Sequence, residues 1–150
     1  KGKDAISARL DMLGVTLDNV HMVPHDAESI AAAITSSQAD LVMILSGSAT
    51  SDWADVAPTA VSQAGGDVHR FGMPVDPGNL LFLGRIGSKP VIGLPGCARS
   101  PALNGADWVL SRVVCDLDVT DADFAQMAIG GLLKEIPTRP QPRRPKSRTK

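Results

Sequence analysis

The sequence predicts an α/β fold of three layers, in which a mostly parallel sheet carries helices on both faces and includes a small β-hairpin. Segments with apolar residues at helical spacing alternate with short apolar runs along the chain, as expected where helices join parallel strands. The run Leu41–Leu45 has five apolar residues and is followed by a Gly/Ser/Thr cluster. That pattern is typical of a strand buried on both faces, which a parallel sheet supplies.

The first half of the chain predicts two helices and two strands. Ile6, Leu10 and Leu13 recur at helical spacing, and Gly14 is a typical residue for the end of a helix. Asp26 precedes a second helical pattern and is a preferred N-cap residue. The predicted elements are a helix over 4–13, a strand over 15–22, a helix over 27–37 and the strand over 41–45.

The second half predicts a hairpin between two helical regions. Two apolar runs flank the turn-rich stretch Gly87-Ser88-Lys89-Pro90. Thr120 with Asp123 predicts a capping box in which Asp replaces the usual Glu. The predicted elements are a helix that follows Asp55, carries Pro58 in its first turn and ends at Gly65-Gly66, a strand over 67–71, hairpin strands over 80–86 and 91–94, a helix over 104–115 and a short helix over 121–128.

The chain is predicted to form one domain, residues 1–136, followed by a basic, proline-rich linker or tail, residues 137–150. The net charge is −1, but six of the fifteen Lys and Arg residues lie between Arg139 and Lys150, a span without acidic residues. The tail has almost no apolar residues with which to build a core. The remaining body is therefore acidic and cannot attract an anionic ligand through its net charge.

Composition argues against nucleic-acid and membrane partners. Three Phe, two Trp and no Tyr residues leave few side chains on which bases could stack. No apolar segment approaches the roughly 18 residues that a membrane-spanning helix requires. Cys97 and Cys115 lack the spacing of a metal site or of a disulfide framework, which favours a reducing, cytoplasmic location.

Two loops are candidates for a binding site because each follows a predicted strand. In parallel sheets, ligands bind at the carboxyl ends of strands, and the loops after Leu45 and Leu94 both lie at such an end. The first loop combines small residues, hydroxyl groups and the carboxylates of Asp52 and Asp55. This set suits close approach of a ligand, a metal ion or a reacting group. The alternative is a polar turn in which Asp55 is the N-cap of the next helix.

Five stretches of the chain resemble the molybdopterin-binding domain of the molybdenum cofactor biosynthesis proteins. They are Ala39-Asp40-Leu41-Val42 with the loop after it, Asp55-Val56-Ala57-Pro58, Met73-Pro74-Val75-Asp76-Pro77-Gly78-Asn79, Leu83-Gly84-Arg85 and Pro90-Val91-Ile92-Gly93-Leu94-Pro95-Gly96. The last stretch is typical of the molybdotransferase branch, whereas the first loop is also similar to the molybdopterin adenylyltransferases. Residues 71–79, 94–100 and 130–143 most resemble the version of this domain that is fused to a molybdenum cofactor cytidylyltransferase.

The resemblance, which covers residues 10–143, implies a protein that binds molybdopterin or the molybdenum cofactor during cofactor biosynthesis or maturation. It implies that the domain serves a larger nucleotidyltransferase-type protein, that the basic tail begins an interdomain linker, and that a molybdoenzyme is a further partner. A homo-oligomer, either a trimer or a dimer, is also expected. Whether the chain is itself a nucleotidyltransferase or molybdotransferase stays open, and the alternative is a regulatory or assembly domain without a ligand.

The resemblance also assigns roles to residues of the matching loops. Backbone N–H groups of residues 47–49, at a helix start, and of residues 96–98 cradle the ligand's phosphate. Asp52 and Asp55 are catalytic carboxylates and ligands for Mg²⁺. Asp76 binds the pterin edge or stabilises its own turn, and Cys97 meets a soft metal or packs under its loop. The candidate cofactor-binding residues are Gly47, Ser48, Ala49, Thr50, Ser51, Asp76, Pro95, Gly96, Cys97, Arg99 and Ser100.

The chain departs from the family pattern in both enzyme branches. The first loop reads Ser46-Gly47-Ser48-Ala49 where the adenylyltransferases carry Gly-Gly-Thr-Gly, and His25 stands where their Val-Pro-Asp-Asp loop has its first Asp. Asn79 and Cys97 stand where the molybdotransferases have Lys and Asn. The family's first strand, which precedes its first helix, has no counterpart. These departures favour binding over catalysis.

Overall fold

The computed structural model describes residues 1–127 of the 150-residue chain. The predicted domain boundary after residue 136, the tail, and the last predicted residue of the helix over 121–128 lie outside these residues. The elements in chain order are α1 (Gly2–Met12), α2 (Ala27–Ser36), β1 (Val42–Leu45), α3 (Val56–Gln63), β2 (Asp67–Phe71), β3 (Phe82–Ile86), β4 (Lys89–Leu94), a 3-10 helix (Gly96–Arg99), α4 (Gly105–Val114) and α5 (Asp121–Gln126).

Four strands form one sheet in the order β1-β4-β3-β2. β1 pairs with β4 in parallel, and β3 pairs antiparallel with both β4 and β2. Three strands therefore run in one direction and β3 opposes them. The α/β class and the hairpin are confirmed, although within residues 1–127 only one pair of neighbouring strands is parallel.

Alternating side chains of the central strands build one core on each face of the sheet. In β4, Val91 belongs to the core that includes α2 and α3, and its neighbour Ile92 to the core that includes α1, α4 and α5. In β3, Phe82 belongs to the core that includes α2 and α3, and Leu83 to the core that includes α1, α4 and α5. All four side chains are buried, and the predicted three layers are confirmed.

Local signals in the sequence define the ends of several helices. Asp26 accepts a hydrogen bond from the N–H of Ser29 at 2.7 Å and so caps α2. Thr120 and Asp123 form the predicted capping box of α5. No helix within residues 1–127 is both long and apolar enough to cross a membrane.

The prediction of a strand over 15–22 is wrong, because residues 15–24 form neither a strand nor a helix. A strand needs a neighbour that satisfies its backbone groups, and β1 has β4 as its single neighbour within residues 1–127. The strand at Leu41–Leu45 packs against a core on each face, Met43 and Leu45 on one and Val42 and Ile44 on the other, but it is less buried than predicted. Along β1 only Ile44 is buried and the other residues are half-buried, since β1 lies at the edge of the described sheet.

Candidate functional site

Three loops emerge at the same end of the sheet, beyond the carboxyl ends of β1, β2 and β4, because these three strands run in the same direction. They are the β1 loop (residues 46–55), the β2 loop (residues 72–81) and the β4 loop (residues 95–104). Leu45 and Leu94, the last residues of β1 and β4, are partners in the parallel ladder. The β1 and β4 loops therefore start side by side, as the sequence predicts.

The β1 loop is shaped by its own carboxylates. Oδ2 of Asp55 accepts hydrogen bonds from the N–H groups of Ser51 at 2.6 Å and Asp52 at 3.0 Å. These donors hold the pKa of Asp55 below its ordinary value, the Ser51 N–H first and the Asp52 N–H second. Asp52 in turn accepts from the N–H of Ala54 at 2.8 Å. Asp55 occupies the N-cap position of α3 as predicted, but its side chain makes no capping hydrogen bond.

Arg99 joins the β4 loop to the β1 loop. It ends the 3-10 helix, and its Nη2 donates a hydrogen bond to the carbonyl oxygen of Ser46. Ser46 is buried at the root of the β1 loop. Arginine carries five N–H donors, and within residues 1–127 this is the one hydrogen bond that the Arg99 side chain donates. The two loops thus form one surface, and the other N–H groups of the Arg99 guanidinium donate no hydrogen bond within residues 1–127.

Arg9, which sequence reasoning missed, holds the β4 loop in place. Its side chain lies among the buried residues of α1 and is 9% exposed. Each of its five N–H donors has an acceptor, namely the carbonyl oxygens of Ala5 at 3.1 Å, Ala98 at 3.0 Å, Ser100 at 2.8 Å and Ala102 at 3.0 Å, and the carboxylate of Asp107. The one sign of this role in the sequence was a charged residue, Arg9, between the apolar positions Ile6 and Leu10 of the predicted helix.

Asn104 links the β4 loop to the β2 loop. It is 1% exposed, caps α4 by accepting from the N–H of Ala106 at 3.0 Å, and donates to Sγ of Cys97 at 3.1 Å. Gly78 of the β2 loop packs against it, and a Cβ atom at Gly78 would lie 2.9 Å from Asn104 Oδ1. The β1, β4 and β2 loops are thus connected in series.

His25, which the sequence analysis names only as a departure from the family pattern, makes a contact that sequence reasoning did not predict. Its Nε2 lies 2.8 Å from Oγ of Ser48, so the segment before α2 contacts the tip of the β1 loop. Both side chains are exposed. No spacing pattern could have predicted this contact, since the two residues lie 23 positions apart.

Five of the six N–H groups of the predicted phosphate cradle are not used by the described backbone; the sixth, that of Ala98, donates to the carbonyl oxygen of Pro95 at 2.9 Å. Within residues 1–127, those of Gly47, Ser48 and Ala49 take no part in backbone hydrogen bonds of turns and loops, and neither do those of Gly96 and Cys97. The prediction that residues 47–49 lie at a helix start is wrong, because α3 begins at Val56. Residues 96–98 do begin a 3-10 helix.

The structure brings the candidates of the β1 and β4 loops together and places Asp76, which is exposed, in the adjoining β2 loop. Exposed members are Gly47, Ser48, Ala49, Ser51, Asp52, Gly96, Cys97 and Ser100; Asp55 and Arg99 are half-buried; Thr50 and Pro95 are buried. Within residues 1–127, no three His, Cys, Asp or Glu side chains group as metal ligands. Oδ2 of Asp55 and Oδ1 of Asp52 accept from loop amides, and the catalytic and Mg²⁺-binding roles of the two carboxylates stay predictions.

A cavity of about 590 Å³ lies elsewhere in the molecule. Asp40 and Leu41 before β1, Lys89 and Pro90 at the start of β4, and the end of α4 line it. It is therefore at the amino ends of β1 and β4, opposite the candidate loops.

Comparison with known proteins agrees with this architecture. The structure is similar to a solved one, the molybdopterin biosynthesis moea protein from Pyrococcus horikosii, with 28% sequence identity and a TM-score of 0.60. The similarity covers 77% of this chain and 28% of that chain. No curated protein matches the chain. The MoCF_biosynth family, described as "Probable molybdopterin binding domain", matches residues 1–113, and the chain belongs to this family.

Proposed function

We propose that the chain binds molybdopterin or the molybdenum-loaded cofactor at the surface formed by the β1 and β4 loops, and acts in molybdenum cofactor biosynthesis. One observation carries the proposal: Arg99 donates to Ser46 and so joins two loops in which the N–H groups of residues 47–49 and 96–97 are not used by the described backbone. Membership of the family supports a pterin ligand.

The proposed chemistry starts from the phosphate of the ligand. An acidic body offers no general attraction for an anion, so local donors must supply it. The N–H groups of residues 47–49 and 96–97, the Ser48 hydroxyl and the guanidinium of Arg99 are such donors, and hydrogen bonds from a charged donor are the stronger ones. Asp76 is the proposed acceptor for the pterin edge, and Cys97 is the proposed thiol contact for a dithiolene-bound metal.

We propose a binding role and not a catalytic one. The carboxylates of Asp52 and Asp55 hold the β1 loop in shape, so we assign them to loop structure and derive no step through Mg²⁺. The chain spans 28% of the similar solved protein. An attached nucleotidyltransferase domain, a molybdoenzyme partner and a homo-oligomer are accordingly parts of this proposal that concern a larger protein.

A titration with anaerobically prepared molybdopterin tests the proposal. We expect saturable binding that Arg99→Ala weakens by roughly tenfold or more, because a hydrogen bond to a charged group contributes about 1.5–3 kcal/mol. Arg85→Ala is the matched control, since Arg85 is an exposed arginine of β3 near the hairpin. It should bind like the wild type.

The competing function is an assembly domain of the same fold without a ligand. Folded wild-type protein that shows no saturable binding, together with a concentration-dependent oligomer in sedimentation, would favour that function. Turnover of a nucleoside triphosphate by the chain would instead contradict the assignment of a purely binding role.

A further inference from the structure

The contact between His25 and Ser48 bears on which ligand the β1 loop selects, and the inference drawn from it rests on the proposed function. His25 precedes the α2 N-cap residue Asp26, and its Nε2 is 2.8 Å from Ser48 Oγ. This distance is within the range of a hydrogen bond. Ser48 is exposed and lies in the row of unused N–H groups at residues 47–49, so its hydroxyl is placed to meet a bound ligand.

The direction of this hydrogen bond decides what Ser48 can offer. A serine hydroxyl has one proton to donate and two lone pairs that accept, whereas a carboxylate can only accept. If the ring N–H at Nε2 donates to Oγ, the Ser48 proton stays free for the ligand. If Nε2 accepts, that proton is used within the protein and Ser48 can only accept from the ligand.

The surroundings of His25 favour donation. The carboxylate of Asp26 accepts from the N–H of Ser29 at 2.7 Å and from its hydroxyl at 2.9 Å. The pKa of Asp26 is lowered first by these two bonds and also by attraction to His25, so Asp26 is ionised at neutral pH. The ionised carboxylate adjoins His25 in the chain, and a ring whose Nε2 carries the proton and donates is complementary to the hydroxyl oxygen of Ser48.

We propose that His25 is a positioning residue that donates from Nε2 to Ser48 and thereby directs the Ser48 hydroxyl proton to an anionic group of the ligand, a phosphate monoester. A carboxylate at position 25 would instead accept the hydroxyl proton, so that Ser48 could only accept from the ligand.

A pair of isosteric substitutions tests the proposal. His25→Gln keeps an N–H donor near the place of Nε2, and His25→Glu puts an acceptor of the same reach there. The probes are 6-hydroxymethylpterin monophosphate and the alcohol 6-hydroxymethylpterin, and the readout is the ratio of their dissociation constants. We expect the wild type to prefer the phosphate, His25→Gln to keep that preference within about twofold, and His25→Glu to lose about tenfold or more of it.

Ser48→Ala separates hydroxyl orientation from simple charge repulsion. Repulsion by Glu at position 25 acts whether or not the hydroxyl is present, so it survives in the Ser48→Ala background. An orientation effect disappears with the hydroxyl. The Gln and Glu variants should then differ in their preference for the phosphate probe by about fivefold less, or by a still smaller factor, than they do when Ser48 is present. An equal difference in both backgrounds would overturn the positioning role.

The proton on His25 can also be located without any ligand. Nitrogen-15 NMR of the side chain should show a proton on Nε2, as the Nε2–H tautomer or the imidazolium. An Nδ1–H tautomer with bare Nε2 would overturn the proposal. If the wild type prefers the phosphate probe but the Gln and Glu variants do the same, the positioning role fails and the proposed function stands. If the wild type binds neither probe, the positioning role fails, and the titration with molybdopterin alone decides the proposed function.

Discussion

Replacing Arg9 by methionine should destabilise the domain and loosen the β4 loop. The side chain of Arg9 is 9% exposed and donates all five of its N–H groups, three of them to carbonyl oxygens of residues 98–102. Methionine keeps much of the length and the apolar contacts but none of the donors. The carbonyl groups of the β4 loop and the carboxylate of Asp107 then lose their partner.

The expected loss in the free energy of unfolding is about 3 kcal/mol. Four hydrogen bonds from a charged donor to carbonyl groups would sum to more than this at about 1.5–3 kcal/mol each, but the buried guanidinium also loses its hydration, which offsets part of the sum. Removal of one partner from a buried ion pair costs about 3–5 kcal/mol. The low end applies because the Asp107 side chain is 22% exposed and can regain water.

Urea denaturation measures this loss, and amide hydrogen exchange locates it. Exchange in the β4 loop and the first turn of α4 should accelerate more than exchange in α2. Arg85→Met, on an exposed arginine of β3, is the matched control and should stay within about 0.5 kcal/mol of the wild type. Arg9→Lys keeps the charge without the planar fork and should fall between the two. If Arg9→Met resembles Arg85→Met, the role given to Arg9 is refuted.

Three further predictions concern stability. In Gly93→Ala the new Cβ would lie 1.9 Å from Cε1 of the buried Phe82 ring, so thermal unfolding should show a loss of about 3 kcal/mol. Asn104→Ala removes the α4 cap and leaves buried groups unpaired, and urea denaturation should show a loss of about 2 kcal/mol. Asp55→Asn should destabilise at neutral pH. Because the folded-state pKa of Asp55 is lowered, its stabilisation is complete above the unfolded value of about 3.9 and is lost as pH falls through the folded value. The gap between variant and wild type should therefore narrow below about pH 4.

Each of these predictions has a control. Gly47→Ala adds a Cβ that meets nothing within 4 Å, and a Gly93→Ala protein as stable as this variant would contradict the steric argument. Asn104→Asp keeps an acceptor for the α4 amides and should recover part of the loss. For Asp55, a difference from the wild type that does not change with pH would show that ionisation of the carboxylate is not its cause.

Patterns in the sequence predicted each α-helix and strand of the described chain, missed the 3-10 helix at Gly96–Arg99 and added a false strand at Val15–Met22. Helical spacing placed Ile6 and Leu10 on a buried face, and side-chain caps at Asp26 and Thr120 predicted where two helices begin. These signals succeed because they depend on neighbours within a few residues. The error at Val15–Met22 has the opposite cause, since a strand depends on a partner that its own residues do not encode.

The sequence by itself determined the alternation of helices and strands, the loops that follow β1 and β4 and the family resemblance that marks them, because periodicity, caps and motifs are written in nearby residues. The tertiary structure alone decided that Arg9 anchors the β4 loop, that Arg99 reaches Ser46 and that His25 meets Ser48. Each of these contacts joins residues more than 20 positions apart. A donor and its acceptor at such separation find each other only when the sheet has brought their elements together, so no local pattern could reveal them.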